Sequence, residues 1–245
     1  MTRFQALAIH TERIHDPLVW RRLRFILNAL GRKGSHATLF VYPFRAIVEG
    51  KSHIALNRIE QVRSAGHEIA QHTHFYKGQF IDKPNKVTDL SQENISNCLR
   101  RDHQWLSRIC LPRGFTSGAW IVPPDLYPTL VELEFDYDCS ARLLGWKKLD
   151  HPHILRLSKP EIRRFKQGEL LLIPTTHGLK DALFYFRSGD LQIGLNNFCY
   201  RLVYFHDYDL LRWEAYFAAL ALVLVGGAWK TCGELADILK GGCLE

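Results

Sequence analysis

The residues with the clearest chemical potential are histidines at the ends of apolar runs. His72-Thr73-His74 follows Glu68-Ile69-Ala70-Gln71, a short buried-strand pattern. In an extended chain residues two apart project to the same side. Two neutral imidazoles converging on one point are the usual start of a zinc site. Glu12 follows another apolar strand and would add a hard carboxylate oxygen. Two imidazoles and a carboxylate leave a position open for water, the donor set of a hydrolytic site. The third position is contested. If the chain stays extended, His74 faces with His72; if it turned helical at His72, Tyr76 would share that face. Tyrosine is an uncommon zinc ligand, so His74 is expected.

His10 could take a proton from an attacking water, because its ordinary pKa lies near working pH. It could also bind the metal itself, or merely fix the loop. His206 ends the apolar run Leu202-Val203-Tyr204-Phe205, with Asp207 and Asp209 close behind. A neighbouring carboxylate orients such a ring and favours its protonated form, as a general acid requires. His177 ends another strand and is the next candidate. Trp120 reads equally as a wall for stacking a sugar and as a core residue. The remaining histidines, from His15 to His153, read as surface or packing groups.

These residues need strands to carry them. Phe4–Ile9, 37–41, 68–71, 113–116, 135–140, 170–173 and 202–205 have strand patterns, and helical repeats alternate with most of them. Asp16 caps a helix with Pro17 at its first position, and Gly31 closes it. Further helices are expected over about 52–65 with Gly66 as terminator, from Ser91, from Pro123-Pro124 through Leu133, over 212–225 and over 233–239. The stretch 141–159 reads as a long loop. Strand alternating with helix predicts a mainly parallel sheet. Because the polar residues Glu12, His72, Thr116, His177 and His206 all fall at strand C-terminal ends, a deformed or incomplete (β/α) barrel of about seven parallel strands is expected.

The chain has 245 residues, 47% hydrophobic and 23% charged, which suits one large domain over 1–245. Its net charge of +7 is compatible with an anionic substrate or an acidic lipid surface. No nucleic-acid motif accompanies the charge, so nucleic acid is not expected as a partner. The start lacks the apolar core of a signal peptide. The apolar run from Ala215 to Trp229 is short for a transmembrane span, although contact with a membrane surface stays open. Six scattered cysteines without Cys-x-x-Cys suggest reduced thiols and a cytoplasmic protein.

The order of these motifs resembles the polysaccharide deacetylase family, carbohydrate esterase family four, over nearly the whole chain. Gly66-His67-Glu68-Ile69-Ala70-Gln71-His72-Thr73 is similar to that family's G-H-E-I-x-x-H-[ST]-x-x-H motif. Arg113 to Trp120, then Leu133-Glu134-Phe135-Asp136-Tyr137-Asp138-Cys139-Ser140, resembles its third motif and the strand behind it. Val203-Tyr204-Phe205-His206 resembles the segment supplying a catalytic histidine. The resemblance implies a barrel that removes N-acetyl groups from an amino sugar or glycan precursor with a divalent metal, zinc being expected. It places Glu12 at the metal carboxylate and His10 where the family has its aspartate base. It puts Tyr76 at the motif's last histidine and Thr116 at the motif arginine. Tyr76, Thr116, Trp120 and His177 are expected at the substrate. Loss of the acidic pair and the arginine motivates a second expectation: a catalytically inactive protein that binds a carbohydrate or partner.

Overall fold

The computed structural model describes residues 4–76, 88–123, 125–143, 151–182 and 199–242. Its strands are β1 (Phe4–Thr11), β2 (Thr38–Val41), β3 (Glu68–Thr73), β4 (Gly114–Ser117), β5 (Tyr137–Asp138), β6 (Arg142–Leu143), β7 (Arg156–Leu157), β8 (Glu161–Phe165), β9 (Gly168–Leu172), β10 (His177–Gly178) and β11 (Tyr200–His206). Nine of them form one sheet in the order β10-β11-β1-β2-β3-β4-β5-β9-β8, parallel except for the β8–β9 hairpin. The chain between β9 and β10 curls this sheet back on itself. Ile173 and Thr175 donate backbone bonds to Asp138 and Ala141 on one side, while Thr176 donates to Leu202 on the other. With β9 and β10 as one continuous run, the ring has seven positions, as the strand patterns predict.

Side-chain alternation sorts the core into layers. On β1, Ala6 and Ala8 point into the curl and join Phe40, Ala70, Tyr137, Leu171 and Leu202. Leu7 and Ile9 point outward and join residues of the surrounding helices. These are α1 (Pro17–Gly31), α2 (Phe44–Val48), α3 (Ser52–Ser64), α4 (Gln92–Leu106), α5 (Leu126–Glu132), α6 (Trp213–Val225) and α7 (Cys232–Lys240). Leu235, Ala236 and Leu239 of α7 join the inner cluster, where each buried leucine contributes roughly 1.5–3 kcal/mol. A third cluster packs Phe115, Leu170 and Leu172 against α4 and α5. The inner column of β1 therefore runs from apolar Ala6 and Ala8 to polar His10, with Glu12 just past the end of the strand. The sheet's inward face is dry at one end and chemical at the other.

Local signals explain most element ends. The Asp16 carboxylate accepts from the Leu18 and Val19 amides, and Pro17 opens α1. Ser91 caps α4, and Thr231 with Glu234 forms a capping box on α7. At Gly114 a Cβ would lie 2.1 Å from the Tyr137 ring, so only glycine lets that ring fill the barrel interior. The region 141–159 holds more order than a loop. β6 and β7 pair within it, and 144–150 lie outside the described residues. The β8 strand is also additional to the sequence reading. Its charged residues, Glu161, Arg163 and Arg164, suit an edge hairpin with solvent on one side. The helix expected from Pro123 begins at Leu126.

Candidate metal and catalytic site

Two strand ends, those of β1 and β3, bring Glu12, His72 and His74 together, each with one donor atom within 4.8 Å of the others. Glu12 Oε1 lies 3.8 Å from His72 Nε2 and 3.5 Å from His74 Nε2. The chain remains extended past β3, so both rings share a side, with centroids 4.8 Å apart. His72 Nδ1 donates to the Thr116 carbonyl at 2.9 Å. A carbonyl can only accept, so the proton is on Nδ1 and the Nε2 lone pair is exposed to the cluster. That Nε2 is buried and has no hydrogen-bond partner. A buried acceptor without a donor, beside an imidazole and a carboxylate, is a good fit for a divalent ion.

Neighbouring rings hold the third position. Tyr76 stacks on His74 at 5.0 Å, and Tyr42 lies 4.8 Å from its other flank. A Cβ on Gly118 would sit 2.3 Å from the His74 ring, so the glycine leaves the space that ring occupies. Just beyond, Ala119 and Trp120 adopt left-handed backbone with φ of 54° and 61°. Two consecutive non-glycine residues there cost roughly 1–3 kcal/mol each. The turn aims Trp120 inward, against His10 at 5.3 Å and Tyr204 at 4.8 Å.

His10 lies beside the three-residue cluster rather than in it. Its ring is 4.8 Å from His72 and 5.0 Å from His206, and it is buried. β1 and β11 set His10 directly opposite His206 in parallel register. The two aspartates after His206 divide their work. Asp209 accepts from the His206 amide and approaches its Nδ1 at 3.7 Å. Asp207 accepts from the Glu12 and Arg13 amides at 3.0 and 2.8 Å, tying the loop that carries Glu12 to the end of β11. Tyr208 stacks on the outer side of His206.

Electrostatics follow from burial and these neighbours. Burial alone would raise the Glu12 pKa, but the imidazoles of His72 and His74 close beside it outweigh burial and hold the carboxyl below its usual range. Burial, with His72 and His206 nearby, keeps His10 well below the ordinary imidazole value and so neutral. Burial also lowers His72. The Asp207 carboxyl is pushed up to about 7 by burial, against the pull of its two amide donors.

Other expected residues fall elsewhere. Thr116 is fully buried and serves His72 through its carbonyl. His177 is on β10 opposite Val203, three residues before His206 along β11, a rise of about 10 Å. There its Nδ1 meets the Thr176 hydroxyl at 2.7 Å. Arg113 pairs with Asp136 and Asp237 on the surface. The arginine close to the site is Arg142, which sequence reasoning placed in a loop. Its guanidinium lies 4.0 Å from the Trp120 ring and 4.9 Å from the Tyr204 ring. Burial brings its pKa down to about 10, with Tyr204 acting the other way. No local pattern marks Arg142, Tyr42 or Tyr204 as site residues, because long-range packing alone gathers them.

No protein-family model and no curated protein sequence matches the chain. Solved structures do, over nearly its whole length. A presumed polysaccharide deacetylase from Mycobacterium smegmatis is 15% identical, with 98% of this chain and 92% of that one covered at a TM-score of 0.67. The fold is that of the polysaccharide deacetylases. The peptidoglycan deacetylase PdaC from Bacillus subtilis shares it at 13% identity, with coverage of 98% and 93% and a TM-score of 0.56. So does a carbohydrate esterase family four pseudoenzyme from Bacillus anthracis, at 12% identity, coverage of 96% and 66%, and a TM-score of 0.56. The deacetylase fold thus carries both active enzymes and an inactive relative. Its presence here leaves activity to be argued from side chains.

Proposed function

We propose that this chain is a metal-dependent hydrolase that removes an N-acetyl or similar small acyl group from an amino sugar or glycan precursor. The observation that carries the reading is the buried, partnerless His72 Nε2 facing Glu12 and His74. Glu12, His72 and His74 would hold the ion, and their mixed nitrogen and oxygen donors suit zinc. The chemistry such an ion supplies is Lewis-acid polarisation of an acyl oxygen and acidification of water. The Thr116 carbonyl fixes the His72 tautomer, and Asp207 fixes the backbone that presents Glu12. His10, kept neutral, is in the form that accepts a proton from the attacking water. His206, oriented by Asp209 and nearer the solvent, gives a proton to the departing amine. Tyr76, half-buried, offers a flat face to a sugar ring, whereas Trp120 is buried beneath Arg142 and packs against His10 and Tyr204. The products are a small carboxylic acid and a free amine.

A second reading, a catalytically inactive carbohydrate- or partner-binding protein, is favoured by His10 and Thr116. They stand where the resemblance places an aspartate and an arginine. Metal content separates the two. Calorimetric zinc titration of the parent should show one ion per chain. His72→Ala, Glu12→Gln and His74→Ala should each weaken it strongly, while Tyr76→Phe should not. Full affinity in His72→Ala removes that residue from the site. A parent that takes up no zinc, cobalt, nickel or manganese sinks the hydrolase reading. Stoichiometric metal without release of acetate from N-acetylglucosamine oligomers favours the second.

A further inference from the structure

We propose that the paired outer faces of α1 and α6 dock this protein onto an anionic lipid bilayer surface. The two helices run side by side in the same direction. At one end the Arg22 guanidinium lies 4.0 Å from the Trp213 ring and 5.2 Å from that of Tyr216. At the other end Lys33 Nζ donates to the carbonyls of Val223, Leu224 and Gly226 at 3.1, 3.1 and 2.8 Å. Their outward residues therefore form one surface. On α6 the outward row is apolar: Trp213, Phe217, Leu224 and Val225 are 55–72% exposed. The outward row of α1 is basic, with Arg21, Arg24 and Arg32 exposed around Phe25. α1 contains no acidic residue, and α6 contains only Glu214.

A contiguous exposed apolar patch of this kind marks an interaction site. The row of arginines beside it selects the partner. An anionic bilayer offers negative headgroups above an apolar layer, matching guanidinium groups above aromatic and aliphatic side chains. A second copy of the chain, related by a two-fold axis, would set the arginine row against itself or against an apolar row, with no acid on α1 to receive it. At 13 residues α6 is about 20 Å long, and no helix among the described residues is long and apolar enough to cross a membrane. The helices would lie on the surface. Both begin near the site, α1 shortly after Glu12 and α6 shortly after His206, so docking would bring the barrel mouth beside the lipid plane. The proposal stands on the helix faces alone and is independent of the hydrolase reading.

Cosedimentation of the full chain with vesicles tests it. The parent should pellet with vesicles of phosphatidylcholine containing a minority of phosphatidylglycerol, and less so at high salt. The Arg21→Gln, Arg24→Gln, Arg32→Gln variant should bind them about fivefold more weakly per arginine removed. Phe217→Ser with Leu224→Ser should lose binding while circular dichroism is unchanged. Should that pair misfold, the arginine variant alone still decides. Failure of the parent to bind the mixed vesicles, or equal binding to pure phosphatidylcholine, overturns the proposal. A dimer in sedimentation that Phe217→Ser converts to monomer also overturns it and identifies a second copy as the occupant.

Discussion

His206 is the residue whose proposed role is most sharply testable. It projects from the end of β11 toward His10, and Asp209 approaches its Nδ1. If it protonates the leaving amine, His206→Ala should keep its metal and lose about a hundred- to ten-thousand-fold in kcat on an N-acetyl substrate. A phenyl acetate leaves as a stabilised anion and needs little protonation, so the variant should retain far more activity on that ester. Asp209→Asn should show a weaker version of the same split. Equal losses on both substrates would assign His206 to binding or structure. The sequence marked His206 because an apolar strand ended on it. It could not separate Asp207 from Asp209, since only the turn after β11 sends one carboxylate to the ring and the other to the Glu12 loop.

At the scale of elements, the segment after β4 decides how β3 presents its second histidine. Gly118 passes so close to His74 that an added methyl would lie 2.3 Å from the ring. Gly118→Ala should move His74 off its position and weaken zinc binding by about ten- to a hundredfold, as loss of ligand support commonly does. Gly31→Ala, where no atom lies within 4 Å of the added carbon, is the control and should leave affinity unchanged. Native zinc affinity in a folded Gly118→Ala protein would remove His74 from the ligand set. Strands and long helices were readable from alternation, caps and terminating glycines. The β6–β7 pair was not, because strands of two residues lack a period to read.

Across the whole molecule, buried histidines tie stability to pH. His67 stands directly before β3, and its Nδ1 accepts from the Ala37 amide at 3.1 Å, joining the residues that lead into β2 and β3. Burial and then nearby His36 lower its pKa to about 4 from the ordinary 6.5. The folded value is depressed, so the stabilisation is fully present above pH 6.5 and is lost as pH falls through 4. The ceiling is roughly 3 kcal/mol. Burial brings His177 down to about 4 as well, adding to the same window. Asp207 and Asp138, whose carboxyls burial raises to about 7, act the other way in this window, so the histidine part of the fall in urea midpoint from pH 6.5 to 4 is read by comparing parent with variant. The fall should be shallower in His67→Asn, whose side-chain oxygen can still accept the Ala37 amide. An unchanged slope in that variant would show that His67 does not titrate with folding.

By itself the sequence determined the alternation of strand and helix, the parallel sheet and the strand ends at which Glu12, His72, His74 and His206 stand. Those properties are local: a period of two, a cap or a terminating glycine is written in neighbouring residues. Tertiary structure decided the curl of the sheet, which lets Ile173–Thr176 bridge Ala141 and Leu202, and with it everything that meets across the interior. The placement of Arg142 against Trp120 and Tyr204, the Tyr42 flank of His74 and the tautomer of His72 all depend on contacts between residues far apart in the chain. No local pattern encodes such distances, because they are fixed only when the packed core sets the separation of the strands that carry them.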